Sequence, residues 1–462
     1  MLENLLTKVG GILGRLYSVL PPWAQRVVML IYTFFKKPLL GAFLLGMTAG
    51  FPLTIILGIM TVWLSRYEID KSTIGIFTWA TLPYALKIFW APLLDRLKLG
   101  QFTIKFGRRR SWIMVICALL AVAVFLLSQQ TPKSNLGTIG FLAVTIGFLS
   151  ASLDILIDAY RIEVTEERDL AHSAGMYQWG YRLSNLIAGA GVFAIADIAG
   201  WSYAISLLPL LIVPGLIAIF WLGEPNIKES KFLQAERAQH QHLSPYKLKM
   251  YEAVVLPFKE FIRRQHWQWV LLFIVLVKFG DVMASIMTGP FLDELGFTLT
   301  EMAVANKTVG AVASIAGAGA GIFVWWWFDT FRALIISVLF MMITNLGFVA
   351  LSIIGADTVA LAVTVGLENF ATGVGGTVMI AYFGSLCNLS FTATQYALLS
   401  TLSSLARGIF GGLTGFAADA MDWPLFFLVS TAMAFPGLLV LLILWKKNIG
   451  AIERPVAEAP ID

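Results

Sequence analysis

The sequence predicts an all-α polytopic membrane protein with twelve transmembrane helices in two pseudo-symmetric six-helix halves. Three observations predict it. The 462 residues are 58% hydrophobic and 13% charged, with a mean hydropathy of +0.79, whereas a soluble chain carries about 25% charged residues. Apolar runs of about 20 residues, each long enough to cross a bilayer, recur from one end to the other. A single long polar stretch, residues 223–266, rich in Lys, Glu and Gln, divides those runs six and six. A transmembrane barrel would read instead as many short alternating segments.

The runs place spans at 38–64, 72–94, 111–128, 137–160, 171–196, 202–222, 267–291, 301–327, 333–353, 358–386, 392–418 and 424–445. The halves are therefore 38–222 and 267–446, with a linker at 223–266 and a tail at 447–462. Ahead of them, Leu5, Leu6, Val9, Ile12, Leu13 and Leu16 repeat at helical spacing, so residues 1–37 read as an amphipathic interfacial segment. Lys8 and Arg15 inside this apolar stretch, with no small-residue cleavage pattern, argue against a cleavable signal. Of the 33 Lys and Arg, 25 fall on the side of the linker and termini and three in the opposite loops. That asymmetry puts both termini in the cytoplasm.

Several function classes drop out. Topology accounts for the +5 net charge, so no nucleic acid partner is needed. Two cysteines, Cys117 and Cys387, each in or beside an apolar run, do not make a disulfide framework or a thiolate metal site. No phosphate-binding Gly-rich loop, HExxH or GxSxG occurs, which leaves no ATP site, no cofactor site and no enzyme chemistry. His172, His240, His242 and His266 lie at span ends or in the linker, so proton carriers inside the membrane would be carboxyls.

The charges inside the spans carry the functional argument. An ionisable side chain at the bilayer centre costs about 3 kcal/mol on the gentlest scale, so each needs an interior, partnered setting. Lys87 and Lys307, Arg182 and Arg407, and Asp154 and Glu368 occupy matching places in the halves, offset by 220, 225 and 214 residues. Three nearly constant offsets argue for duplicated halves. Glycines after each arginine, in "RLSNLIAGAG" and "RGIFGGLTG", predict close helix packing there. With Lys278, the cations number five against Asp154, Asp158, Asp281 and Glu368. Facing one cavity, that balance fits an anionic solute and leaves a carboxyl for proton coupling. Amides and rings beside the charges suit a hydroxyl-rich one. The expected binding residues are Tyr84, Lys87, Gln178, Tyr181, Arg182, Asn306, Lys307, Asn369, Gln395 and Arg407, with Tyr177 and Tyr396 as neighbours. Asp154, Lys278, Asp281 and Glu368 are the expected coupling set, Lys278 lying one turn before Asp281 so that the two side chains can meet. The bland alternative is that these groups form static ion pairs and hydrogen bonds between helices.

Span 4 ends in "SASLDILIDAYR", with Asp154 and Asp158 one turn apart. Asp158 lies nearer the boundary where the loop carrying Arg96, Arg108, Arg109 and Arg110 emerges. The expectation is a latch between Asp158 and an arginine of that loop. Asp95, Arg96, Arg108, Arg109 and Asp158 are the expected gating residues.

That loop, "DRLKLGQFTIKFGRRRSW", resembles the D-R-x-G-R-R motif of major facilitators with ten residues inserted, and "FDTFR" is a remnant of it in the second half. Longer stretches resemble one branch, the AmpG muropeptide permease family: "TIGIFTWATLPYALKIFWAPLLDR", "FGRRRSW", "DILIDAYR" followed by "EER", and "GYRL" in the first half, and "VKFGDVMA", "ANKTVG" and "LCNLSFTATQYALLSTLSSLAR" in the second. The resemblance runs from about residue 40 to 445. It implies a major facilitator fold and a proton-driven, monomeric inner-membrane importer. The implied substrate is N-acetylglucosaminyl-1,6-anhydro-N-acetylmuramic acid and its peptides, released in cell-wall recycling. Acetyl-CoA transporters share part of the first-half pattern, and a non-transporting assembly factor or sensor on the same fold is the other alternative.

Overall fold

The structure is a computed structural model that describes Pro21 and residues 33–449 except 228, 241 and 243. Nearly all of the expected amphipathic segment, 1–37, and of the tail, 447–462, lies outside the described residues. Among those described there are helices and no strand.

Among the described residues, ten helices are each long and apolar enough to cross a membrane: Lys37–Arg66, Arg108–Ser128, Leu136–Val164, Glu167–Ala199, Trp201–Leu222, Trp267–Glu294, Thr308–Trp327, Thr330–Ile354, Thr358–Leu386 and Trp423–Lys447. They correspond to spans 1, 3–10 and 12. Span 11 is Thr392–Asp419, long enough to cross but diluted by Ser, Thr, Gln395, Arg407 and Asp419. Span 2 is not one helix. It runs through 71–96 as short pieces, Lys71–Phe77, Thr78–Thr81, Leu82–Leu86, Lys87–Phe89 and Ala91–Arg96, with Pro83 and Pro92 in the first turns of two of them. Proline lacks the amide proton and forces such restarts.

Interruptions fall at all three lysines inside the spans. Lys87 opens a 3₁₀ turn. Lys278 lies at the break between Trp267–Leu276 and Phe279–Glu294 in span 7. Lys307 falls in the π-helical Ala305–Gly310 of span 8. Loosened turns free backbone groups and are common where helices build sites.

Glycine sets the closest contacts within each half. A Cβ at Gly180 of span 5 would sit 1.9 Å from the carbonyl oxygen of Phe43 in span 1, and one at Gly46 would sit 2.1 Å from that of Tyr177. In the second half, Gly317 of span 8 and Gly373 of span 10 meet Phe370 and Ser314 in the same way. Close packing was expected at the glycines after Arg182, and the structure corrects this. Gly191 has nothing within 4 Å of its Cβ position and Gly189 only a Thr54 methyl at 3.7 Å. The tight approaches of span 5 come before the arginine, at Gly180 against span 1 of the same half and at Gly175 against Ile322 of span 8 in the other half.

Two large apolar clusters follow the halves. One draws on spans 1–6 and takes in Ala393 and Ala397 of span 11; another draws on the second half and takes in Ile162, Leu170, Ala171 and Ala174 of spans 4 and 5. Those six residues lie at the linker end, where each half fills the other's core. The linker is itself helical, at Lys231–Gln239, Pro245–Met250 and Leu256–Ile262. Glu236 holds it together, 2.7 Å from Lys259 Nζ and 2.8 Å from Arg263 Nη1, while Arg237 bridges Glu229 and Glu252.

Candidate functional site

Midway along the first half, Lys87 Nζ lies 2.6 Å from Asp154 Oδ2. The broken span 2 turns the lysine inward, and its side chain is 6% exposed against 21% for the aspartate. Tyr177 of span 5 donates its hydroxyl to the other oxygen of Asp154 at 3.3 Å. One turn toward the end opposite the linker, the Tyr84 hydroxyl lies 2.6 Å from Ser150 Oγ. Tyr181 hydrogen-bonds Asn185, whose oxygen also accepts from Thr54 at 3.0 Å. These groups present one carboxylate, one ammonium and a set of hydroxyls and amides, a surface suited to a polyhydroxylated anion.

The second half supplies a matching cluster. Lys278 Nζ stands 3.5 Å from Asp281 Oδ2 across one turn, as their spacing predicted. Glu368 of span 10 accepts from Asn369 Nδ2 at 3.0 Å and Thr372 Oγ1 at 3.3 Å, with Asp281, Lys278 and Arg182 of span 5 close enough to interact by charge. Arg182 thus reaches across from the first half. Below it, Gln178 Nε2 donates to Thr377 Oγ1 at 2.9 Å and Trp179 Nε1 to the Ile315 carbonyl at 2.8 Å, stitching span 5 to spans 10 and 8.

The linker end is closed by a buried charge network. Arg109, 1% exposed, lies between Asp95 at 2.6 Å and Glu163 at 2.5 Å. Asp95 also accepts from the backbone NH and hydroxyl of Thr394 at the start of span 11. Arg96 donates to the Ser390 carbonyl at 3.2 Å and covers the Phe391 ring. Arg108 sits beside the network, in charge contact with Asp95 and Glu163. Glu224 accepts from the amides of Arg109 and Arg110, placing a carboxylate at the N-terminus of span 3, where the helix dipole favours it.

The structure brings most of the expected residues to these three places and corrects others. Asp158 does not pair with an arginine of the loop. Arg109 goes to Glu163, more than a turn further along span 4, while Asp158 lies 3.7 Å from Arg161 on its own helix and hydrogen-bonds Tyr396 of span 11. Span 4 runs on to Val164, one turn beyond its expected end, so the loop meets the later carboxylate. Gln395, expected at the binding surface, is buried away from it, donating to Glu260 and to the Pro257 carbonyl at 3.1 Å and accepting from the Asn388 amide. It pins the linker to span 11. Asn306 is exposed and returns its amide to the Met302 carbonyl, and the half-buried Asn369 donates to Glu368 and to the Val365 carbonyl. The side chains of Lys307 and Arg407 lie outside the described residues.

Glu163, Arg161, Thr394 and Glu224 escaped the sequence reading. The signal available was a pair of opposite charges, Arg161 and Glu163, just past an apolar run; at a span end such charges read as solvated, and here both are buried.

Residues 39–383 match the Major Facilitator Superfamily. "Putative transporter AmpG 4" of Rickettsia felis is 33% identical over 91% of this chain and 99% of its own length. "Anhydromuropeptide permease" of Escherichia coli K12 is 35% identical over 87% of this chain and 78% of its own. Among solved structures, the proton:xylose symporter XylE bound to 6-bromo-6-deoxy-D-glucose superposes with a TM-score of 0.61 at 14% identity, covering 91% of this chain and 97% of that one. FucP in the outward conformation does so with a TM-score of 0.61 at 14% identity, covering 89% and 99%. Fold and relatives together define an integral membrane transporter of small molecules and not an enzyme. The chain belongs to the AmpG permease family of the major facilitator superfamily.

Proposed function

We propose that this chain imports N-acetylglucosaminyl-1,6-anhydro-N-acetylmuramic acid and its peptides from periplasm to cytoplasm, driven by protons, by alternating access across the bacterial inner membrane. The observation that carries the reading is the Lys87–Asp154 pair among tyrosines and amides, in a chain 35% identical to an anhydromuropeptide permease. A cation already matched by a protein carboxylate can exchange it for a substrate carboxylate without leaving a bare charge at any stage. The hydroxyls of Tyr84, Tyr177 and Tyr181 suit the sugar.

The halves, 38–222 and 267–446, move against each other about this site, and the linker end with both termini faces the cytoplasm. Closed there, the site is reached from the periplasm, and the Asp95–Arg109–Glu163 network with Thr394 is the gate. Proton coupling falls to Asp281, which lies beside Lys278, and to Glu368, which lies within charge-interaction range of Lys278 and Arg182.

Uptake of labelled anhydro-disaccharide into vesicles holding the purified chain, with and without an uncoupler, tests this. Accumulation that the uncoupler abolishes is expected. Accumulation that survives it removes the coupling; acetyl-CoA uptake in place of the sugar, or none of either, removes the substrate.

A further inference from the structure

Among the described residues, Arg161 is a cation buried without a hydrogen bond. Its side chain is 0% exposed, yet none of its three guanidinium nitrogens has a hydrogen-bond partner among the described residues. Its contacts are Asp158 Oδ1 at 3.7 Å, beyond hydrogen-bond range, and the face of the Tyr177 ring at 5.6 Å. Asp158 meanwhile accepts a hydrogen bond from the Tyr396 hydroxyl of span 11, and its Oδ1 accepts none. A fixed guanidinium fork left without acceptors in the interior is costly to keep. A close-packed leucine or methionine would hold this place better in the closed form, so the closed form does not explain the arginine.

Position supplies the explanation. Asp154, Asp158 and Arg161 follow one another down one face of span 4, with side-chain exposure falling from 21% through 6% to 0%. They lead from the binding surface to the sealed linker end. Arg161 is covered by residues of the other half: Tyr396 and Cys387 lie within charge-interaction range of it, and the next residue, Ile162, is packed in the second-half core. When the halves part at this end, that cover leaves and Tyr396 releases Asp158.

We propose that Arg161 is the carboxylate-docking residue of the linker-open form, taking the anionic group of the substrate from Lys87 during passage to the cytoplasm. The assignment rests on the transport reading above and adds a second anion site to it. In the linker-closed form Lys87 offers the reachable cation. In the linker-open form Arg161 offers a fork with every donor free, a geometry matched to a carboxylate.

The test uses full-length chain in vesicles sorted by orientation, so that each face meets substrate separately, and measures exchange of the anhydro-disaccharide. Arg161→Gln should raise KM at the linker face about tenfold, the loss of one charge-assisted hydrogen bond, and leave KM at the opposite face within about twofold, while Arg161→Lys restores much of the difference. The neutral methyl ester of the substrate should show no such asymmetry. Equal losses at both faces, or an unchanged linker-face KM, overturn the assignment. A second measurement needs no substrate. With Cys117 and Cys387 replaced by Ser, Arg161→Cys should react with a membrane-impermeant thiol reagent from the linker face alone, and reaction from the other face or from neither overturns it too. If the wild-type chain exchanges no anhydro-disaccharide, the transport reading fails on its own, and the labelling still decides whether Arg161 reaches a linker-side opening.

Discussion

Lys87 Nζ lies 2.6 Å from Asp154 Oδ2 and joins span 2 to span 4 at the middle of the first half. Removing either partner strands the other. Because Asp154 keeps about a fifth of its exposure, the loss should fall at roughly 2–3 kcal/mol, below the figure for a sealed pair. Lys87→Gln and Asp154→Asn are each expected to lower the unfolding midpoint and nearly abolish uptake. The double replacement Lys87→Met with Asp154→Leu should recover stability but not uptake. Recovery of both would make the pair a structural bolt.

The gate gives a prediction about conformational balance. Arg109 is shared by Asp95 and Glu163, all three side chains within 2% of full burial. Glu163→Gln removes one of two counter-charges, worth about 3 kcal/mol in a sealed setting, and should tip the molecule toward opening at the linker end. With the native cysteines replaced, Ser390→Cys, placed where Arg96 caps the start of span 11, should label from the linker side at least several-fold faster in the Glu163→Gln background. An unchanged labelling rate would mean that Glu163 stabilises the first half alone and not its closure.

The architecture was legible because hydrophobic runs and charge asymmetry are set by the bilayer, which acts on every residue of a span alike. The charges inside the spans were legible for the same reason, since Lys87, Asp154, Lys278 and Asp281 stand out against apolar neighbours; the spacing paired Lys278 with Asp281, whereas the Lys87–Asp154 pair, made between two spans, was not foreseen. Partners chosen by rotation and depth were not. Gln395 and Asp158 both sit where a helix begins or ends, and whether such a residue faces cavity, linker or opposite half depends on a turn of helix that composition does not record. The breaks at Lys278 and Lys307 were equally hidden, since no proline marks them.

The linker predicts a pH effect confined to acid. Burial pushes the Glu236 carboxyl up, but the hydrogen bond and charge of Lys259, the charge of Arg263 and the Tyr251 hydroxyl outweigh it and hold it below the ordinary value. A carboxyl depressed in the folded state contributes its full stability above its unfolded pKa of about 4.3, and loses it as pH falls through the lower folded value. Limited proteolysis within 229–263 should therefore be slow and flat from neutral pH down to about 4.3 and accelerate as pH falls from there through the lower folded value. Glu236→Gln should be cut faster at neutral pH, with the difference from wild type shrinking in acid. A difference that persists undiminished at low pH would place the linker's stability elsewhere.

Asp281 and Glu368 make the sharpest test of coupling. Their carboxyls lie in charge contact with each other, with Lys278 beside both and Arg182 beside Glu368, so two negative groups share two positive ones. Protonating one carboxyl leaves its cation to the other, and a movement that draws Arg182 away with the first half changes which carboxyl keeps its proton. A permanently neutral amide cannot make that exchange. Asp281→Asn and Glu368→Gln should each abolish accumulation against a gradient while exchange of labelled for unlabelled substrate continues at a rate comparable to wild type. The pH dependence of exchange should also flatten in the variant that removes the carrier and persist in the other. Loss of exchange together with accumulation in both variants would return the cluster to the bland reading, ion pairs that hold spans 5, 7 and 10 together and carry no proton.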